Sequence, residues 1–147
     1  MTNMKTLLIL LFLHSVTMTV PRDAAAQDTA ARQDWQVYPP SGMPSGTNVT
    51  EGDAASLTER ELSAQAHYLM GTFRVTARAE DRVVLRTDGK EGGARVVALY
   101  PPSIPTPAEG EKVVRDATCG FRIIDIRRGG DGQLTIYVRN ITRPKDA

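Results

Sequence analysis

Residues 121–141 read FRIIDIRRGGDGQLTIYVRNI, and the turn at their centre decides the fold. Gly129-Gly130-Asp131-Gly132 sets four turn-forming residues in a row. Such residues reach the positive φ angles of a tight reversal at little steric cost, so the flanking β-rich runs predict an antiparallel hairpin. In its second arm Leu134, Ile136 and Val138 alternate with Thr135, Tyr137 and Arg139. That period of two marks a strand with one apolar face. A lone hairpin is marginal in water, so this one must lay its aliphatic face on further strands.

Upstream the same period recurs. Phe73, Val75, Ala77 and Ala79 share one expected face, and Thr72, Arg74, Thr76 and Arg78 the other. Glu80-Asp81 turns the chain into residues 82–87, and Asp88-Gly89 with Gly92-Gly93 closes a second hairpin into residues 94–100. Pro101, Pro102, Pro105 and Pro107 then forbid regular pairing, and a short strand at 112–114 fits before Phe121. Ahead of the strands, Ser56-Leu57-Thr58-Glu59 matches a capping box, with Ser56 as the cap. Leu62, Ala66, Leu69 and Met70 follow at helical spacing and Gly71 supplies a stop, which predicts a helix from Ser56 to Met70.

The expected class is therefore mainly β (α+β): one N-terminal helix packed on five or six antiparallel strands that curl into a small barrel. A helix and about 75 further residues fall short of the ~100 of an immunoglobulin-like sandwich. Strands at 72–79, 82–87, 94–100, 121–127 and 134–140 resemble an OB-type barrel in number and order over residues 71–141. The resemblance implies a partly open Greek-key barrel. An SH3-like barrel is the alternative. The chain departs from the OB pattern in its proline-rich link, where such barrels often carry a helix.

Before this domain lie two segments of other character. Lys5 precedes the unbroken apolar run Leu7 to Leu13, and a polar stretch ends in Ala24-Ala25-Ala26. A charged start, a short apolar run and a small-residue site predict a secretory signal peptide over residues 1–26. The run from Leu7 to Val20 is 14 residues and is broken by His14, Ser15 and two threonines. It is short of the ~20 needed to span a bilayer, so no stable membrane span is expected after cleavage. Cleavage implies a secreted or periplasmic protein. Residues 27–55, rich in Pro, Gly and Ser, read as a tether. Trp35, Val37 and Tyr38 within it read as a clamp over one end of the core. Residues 56–147 form the helix-plus-barrel domain.

Charge and cysteine content exclude several classes. Beyond residue 26 the chain carries 16 basic and 16 acidic residues, with −4 over residues 27–66 and +4 over residues 67–147. That imbalance permits an anionic partner without demanding one. Cys119 is the only cysteine, so no internal disulfide forms; it is either buried or free to bridge two molecules. His67 is the only histidine beyond the signal peptide, and no Gly-x-Ser-x-Gly elbow occurs. One histidine and one cysteine cannot close a zinc site, and calcium spacing is missing. The glycines at 129–132 open into a strand rather than a helix, so they read as a turn and not as a phosphate cradle. Glu80, Asp81, Asp116 and Asp125 read as turn and exposed-strand residues. The expectation is a protein that is not an enzyme and takes neither cofactor nor metal. A small hydrolase using His67 with Cys119 or a carboxylate is the least favoured alternative.

What remains is a surface. With the apolar sides of the first and last strands turned inward, Arg74 and Arg78 face out, as do Tyr137 and Arg139, with Arg122 beside them. Guanidinium groups and one ring suit a phosphate-, sulfate- or carboxylate-bearing partner, although a solvated face explains the same residues. A single stacking aromatic argues against single-stranded nucleic acid. The expected function is an exported binding or accessory module that engages a protein or an anionic envelope polymer. The alternative is an assembly subunit docking through its N-terminal segment. Asn48 heads an N-glycosylation acceptor pattern, which matters in a eukaryotic host; Asn140 heads another near a strand end.

Overall fold

A computed structural model describes residues 36–39, 42–90 and 92–143. The elements in chain order are β1 (Thr47–Val49), α1 (Glu51–Ala54), α2 (Glu59–Ala64), β2 (His67–Leu69), β3 (Gly71–Arg78) and β4 (Arg82–Thr87). There follow β5 (Arg95–Leu99), β6 (Lys112–Arg115), β7 (Phe121–Arg128) and β8 (Leu134–Arg139). All eight strands join one mixed sheet, in the order β1-β2-β7-β8-β5-β4-β3-β6. The sheet curls into a half-barrel. Strands β3 and β7 are four steps apart in it, about 19 Å if the sheet were flat at ~4.8 Å per step. Yet the rings of Phe73 on β3 and Phe121 on β7 meet with centroids 6.1 Å apart.

The hairpin at Gly129 to Gly132 forms as its turn residues require. The Gly129 amide donates to Gln133 O at 2.9 Å, and Gly132 takes φ +84°, a conformation in which a Cβ would be strained. Ile136 and Val138 are fully buried in the main core, with Leu134 partly buried against it. Thr135 and Tyr137 on the opposite face are buried as well. Tyr137 joins Val84, Val97 and Leu99 in a second, smaller apolar cluster. The unbroken runs Val83-Val84-Leu85 and Val96-Val97-Ala98-Leu99 have the same cause: interior strands buried on both faces do not alternate. Strand β8 pairs with β5 in parallel, so the strands are not all antiparallel as expected.

Two bulges re-aim side chains. In β3 the register slips at Thr76, between Val75 and Ala77. Phe73 and Val75 enter the main core, but Ala77 pairs with Val84 and packs on the second cluster. The expected single face from Phe73 to Ala79 therefore inverts midway, because an extra residue reverses a period of two. A second slip lies between Ile123 and Asp125, and across it Ile123 and Ile126, three residues apart, both reach the main core while Ile124 packs on the second cluster.

The N-terminal part of the domain differs most from expectation. The predicted helix from Ser56 to Met70 is not present; α2 runs only from Glu59 to Ala64. Its cap is Thr58, whose hydroxyl accepts from the Glu61 amide while the Glu61 carboxylate accepts from the Thr58 amide. The reciprocal box sits two residues later than expected, and Gln65 at φ −158°, ψ 164° leaves the helix early. His67, Tyr68 and Leu69 are instead a buried strand between β1 and β7. Leu69 reaches the core by pairing with Phe121 rather than from a helical stripe. Gly120 allows the contact: a Cβ there would lie 2.8 Å from Tyr68 Cβ.

Residues 47–54, which composition places in the tether, form β1 and the single turn α1, with Val49 and Ala54 buried. Tyr38 bridges to Thr142, and Val37 packs against the core. Trp35 and residues 1–26 lie outside the described residues. From α1, Glu51 reaches the β4–β5 connection, where its carboxylate accepts from the Ala94 amide at 2.6 Å and from the Thr87 hydroxyl. Lys90 Nζ lies 3.6 Å away. Burial alone would raise the Glu51 pKa, but those hydrogen bonds and the Lys90 charge together hold it below the ordinary carboxylate value.

Candidate binding cleft

The period of β8 continues past its last residue. Leu134, Ile136 and Val138 take the core side, and two positions on, Asn140 keeps the same parity. Its backbone is anchored by a hydrogen bond from its amide to Leu99 O at 2.8 Å. Its side chain is 1% exposed, and both Oδ1 and Nδ2 lack a partner among the described residues. A carboxamide in that state costs about 1–3 kcal/mol for each unmet group.

Arg115 approaches from β6. Its guanidinium lies 4.4 Å above the Phe121 ring and donates through Nη1 to Cys119 O at 3.2 Å. Its Nε is buried without a partner among the described residues. Tyr100, at the end of β5, has its phenol pKa pushed up by burial, partly offset by the neighbouring Arg115. These groups border a cleft of about 560 Å³, within the ~300–1,000 Å³ range of ligand sites. Ile104, Pro105 and Thr106 of the link form one wall, β6 another, and Asn140, Thr142 and Arg143 the third. The link opens with a turn in which the Ile104 amide donates to Pro101 O at 3.1 Å, and Ile104 inserts into the core.

Both acidic side chains at the rim are engaged in loop closure. Asp116 Oδ1 accepts from the Thr118 amide at 2.9 Å and its hydroxyl at 2.7 Å, and from Cys119 Sγ at 3.3 Å. Glu111 Oε1 accepts from the Ala108 amide at 3.0 Å. Lys112 and Arg143 at the mouth are exposed cations. Beside the apolar walls, the Asn140 carboxamide and the Arg115 Nε lie covered and without partners among the described residues, so a ligand gains two amide protons, one amide oxygen and one N–H only when these side chains turn toward the cleft. Those groups can hold a peptide-like amide or a carboxylate.

The residues singled out from sequence fall in several places. Arg74 is exposed on β3, donates to Asp88 at 3.1 and 3.2 Å and to Gly110 O at 2.9 Å. That hydrogen bond lowers the Asp88 pKa. Arg78, beyond the β3 bulge, donates to Thr106 Oγ1 at 2.9 Å and so braces the link. Arg122 and Arg139 stand opposite one another on β7 and β8, and burial lowers the Arg139 pKa. Tyr137 is only 4% exposed, within the second cluster. Asn48 is exposed on the edge strand β1.

His67 is buried, with Nδ1 3.1 Å from Gln65 O, and the strand register sets it opposite Ile123. Cys119 is buried in the turn that precedes β7, and its Sγ donates to Asp116 Oδ1. Among the described residues no group of three His, Cys, Asp or Glu side chains is placed to hold a metal ion.

Arg115, Tyr100 and Asn140 are not among the site candidates that the sequence suggests. Only Asn140 leaves a signal there, as a polar residue continuing the inward parity of Leu134, Ile136 and Val138. No family model, curated protein or solved structure matches the chain.

Proposed function

We propose that this chain is an exported, non-enzymatic binding module that holds an amide- or carboxylate-bearing group of a partner in the cleft between β6 and the proline-rich link. One observation carries the reading: the Asn140 carboxamide is buried at the cleft with its donors and acceptor unmatched by protein. Leucine, of similar size, would avoid that cost, so a polar group kept there points to a ligand that completes it. For the fold, β3, β4 and β5 form a meander, β5 pairs in parallel with β8, and β7 returns antiparallel to β8. That order supports an OB-type barrel, left open between the end strands β1 and β6.

The small probe N-acetylglycine tests the cleft, since it carries both an amide and a carboxylate. Titration followed by amide NMR is expected to shift residues 104, 106, 113–115 and 140, and Asn140→Leu to abolish those shifts. Equal shifts in that variant overturn the reading. Export rests on the pattern of residues 1–26, and intact mass of the protein from its own host is expected to begin at Gln27. A second reading places an anionic polymer on Arg122 and Arg139, favoured by their direct opposition across β7 and β8. It predicts that R122Q/R139Q removes binding of dextran sulfate while leaving N-acetylglycine binding intact.

A further inference from the structure

We infer that the occupant of the cleft is an extended segment of a partner polypeptide, which adds to the free edge of β6 as a ninth strand; this rests on the cleft being a binding site. Among the described residues strand β6 ends the sheet and pairs with β3 alone. Its hydrogen bonds to β3 begin where the Val75 amide donates to Glu111 O at 3.0 Å. Bonded pairs in an antiparallel ladder come at every second residue, so Phe73–Val113 and Gly71–Arg115 continue that series. The backbone N–H and C=O groups of Lys112 and Val114 then point away from the sheet.

An open edge alone is ordinary, and sheets usually guard it. Two further features set β6 apart. The cleft is bordered by Lys112, Val113, Val114 and Arg115 alike, and residues from both faces of a strand can border one cleft only if it runs along the strand's edge. Val114 is 57% exposed, the most exposed large apolar side chain among the described residues. The opposite edge, β1, is three residues long, and its Thr47 hydroxyl is held by Gln65 Nε2 at 2.9 Å.

Only a polypeptide strand supplies alternating donors and acceptors to a free edge. The same ligand suits Asn140, whose carboxamide matches one peptide group, its oxygen taking the N–H and its nitrogen giving to the C=O. Arg115 Nε then donates to the next carbonyl or to a terminal carboxylate. The four residues of β6 span about 13 Å, room for four residues of an added strand.

The test compares three probes on the full chain: N-acetylglycine, an acetylated Thr/Val alternating octapeptide with a free carboxylate, and that octapeptide N-methylated at every second residue. The octapeptide is expected to bind at least tenfold more tightly than N-acetylglycine and to slow hydrogen exchange at the Lys112 and Val114 amides. N-methylation, which removes strand hydrogen bonds and spares the side chains, is expected to return affinity to that of N-acetylglycine. Equal affinities for all three probes overturn strand addition and leave the cleft reading standing. Failure of every probe, or binding unchanged in Asn140→Leu, overturns both. Saturable binding of dextran sulfate that displaces the octapeptide without protecting Lys112 and Val114 assigns the surface to a polyanion and overturns the inference.

Discussion

Two polar side chains, the partly buried Glu51 and the fully buried Asn140, sit in different parts of this half-barrel and are treated in opposite ways. Glu51 meets the Thr87 hydroxyl, the Ala94 amide and Lys90, so its charge is compensated on each side. Asn140 meets nothing among the described residues. The first is a fastener: it ties α1 to the β4–β5 connection and returns the desolvation it incurs. The second is a cost without a structural return. Unmatched buried polar groups are few in native folds, and that contrast is what supports the proposed cleft.

The largest expected effect breaks the Glu51 side of the contrast. Glu51→Ala strands the Thr87 hydroxyl and the Ala94 amide, and removes charge-assisted hydrogen bonds worth about 1.5–3 kcal/mol each in general. Urea unfolding is expected to show a loss of about 3 kcal/mol. The pH dependence sharpens it. The folded Glu51 carboxyl titrates below its ordinary 4.5, so its contribution is fully present above that pH and fades as the pH falls through the folded value. The stability gap between wild type and Glu51→Ala is expected to narrow below pH 4.5 and stay constant from pH 5 to 7.

Asn140→Leu tests the other side, with the opposite sign. Replacing an unmatched amide by an aliphatic group of similar volume is expected to stabilise the fold by about 1 kcal/mol in the same assay while abolishing the N-acetylglycine shifts. A marked destabilisation would mean that Asn140 is structurally satisfied and would remove the contrast. The smallest effect belongs to Arg74, whose ion pair with Asp88 lies at the surface with the arginine side chain 44% exposed. Arg74→Gln is expected to change stability by no more than about 0.5 kcal/mol, since exposed pairs are screened by solvent.

Much of the sheet is legible in the order of residues alone. The turns at 88–93 and 129–132 and the period-2 runs beside them mark β3, β4, β5, β7 and β8 to within about two residues, a precision usual for such boundaries. Strands β1 and β2 are not legible in this way, because three residues leave no period and their stability comes from partners 20 and more positions away. The expected helix is too long for a related reason: Leu62 and Leu69 do reach one core, but the spacing that joins them on a helix also fits a helix followed by a strand. The bulges are equally hidden, and they separate Arg74 from Arg78.

The sequence by itself determined a small β domain whose tight turns force antiparallel neighbours, because turn chemistry and side-chain alternation act over a few residues. The parallel joining of β5 to β8, the burial of both faces of the central strands and the meeting of Asn140 with Arg115 in one cleft were decided only in the tertiary structure. Each depends on which surfaces remain to be covered once the sheet has curled, and that quantity belongs to the whole chain rather than to any stretch of it.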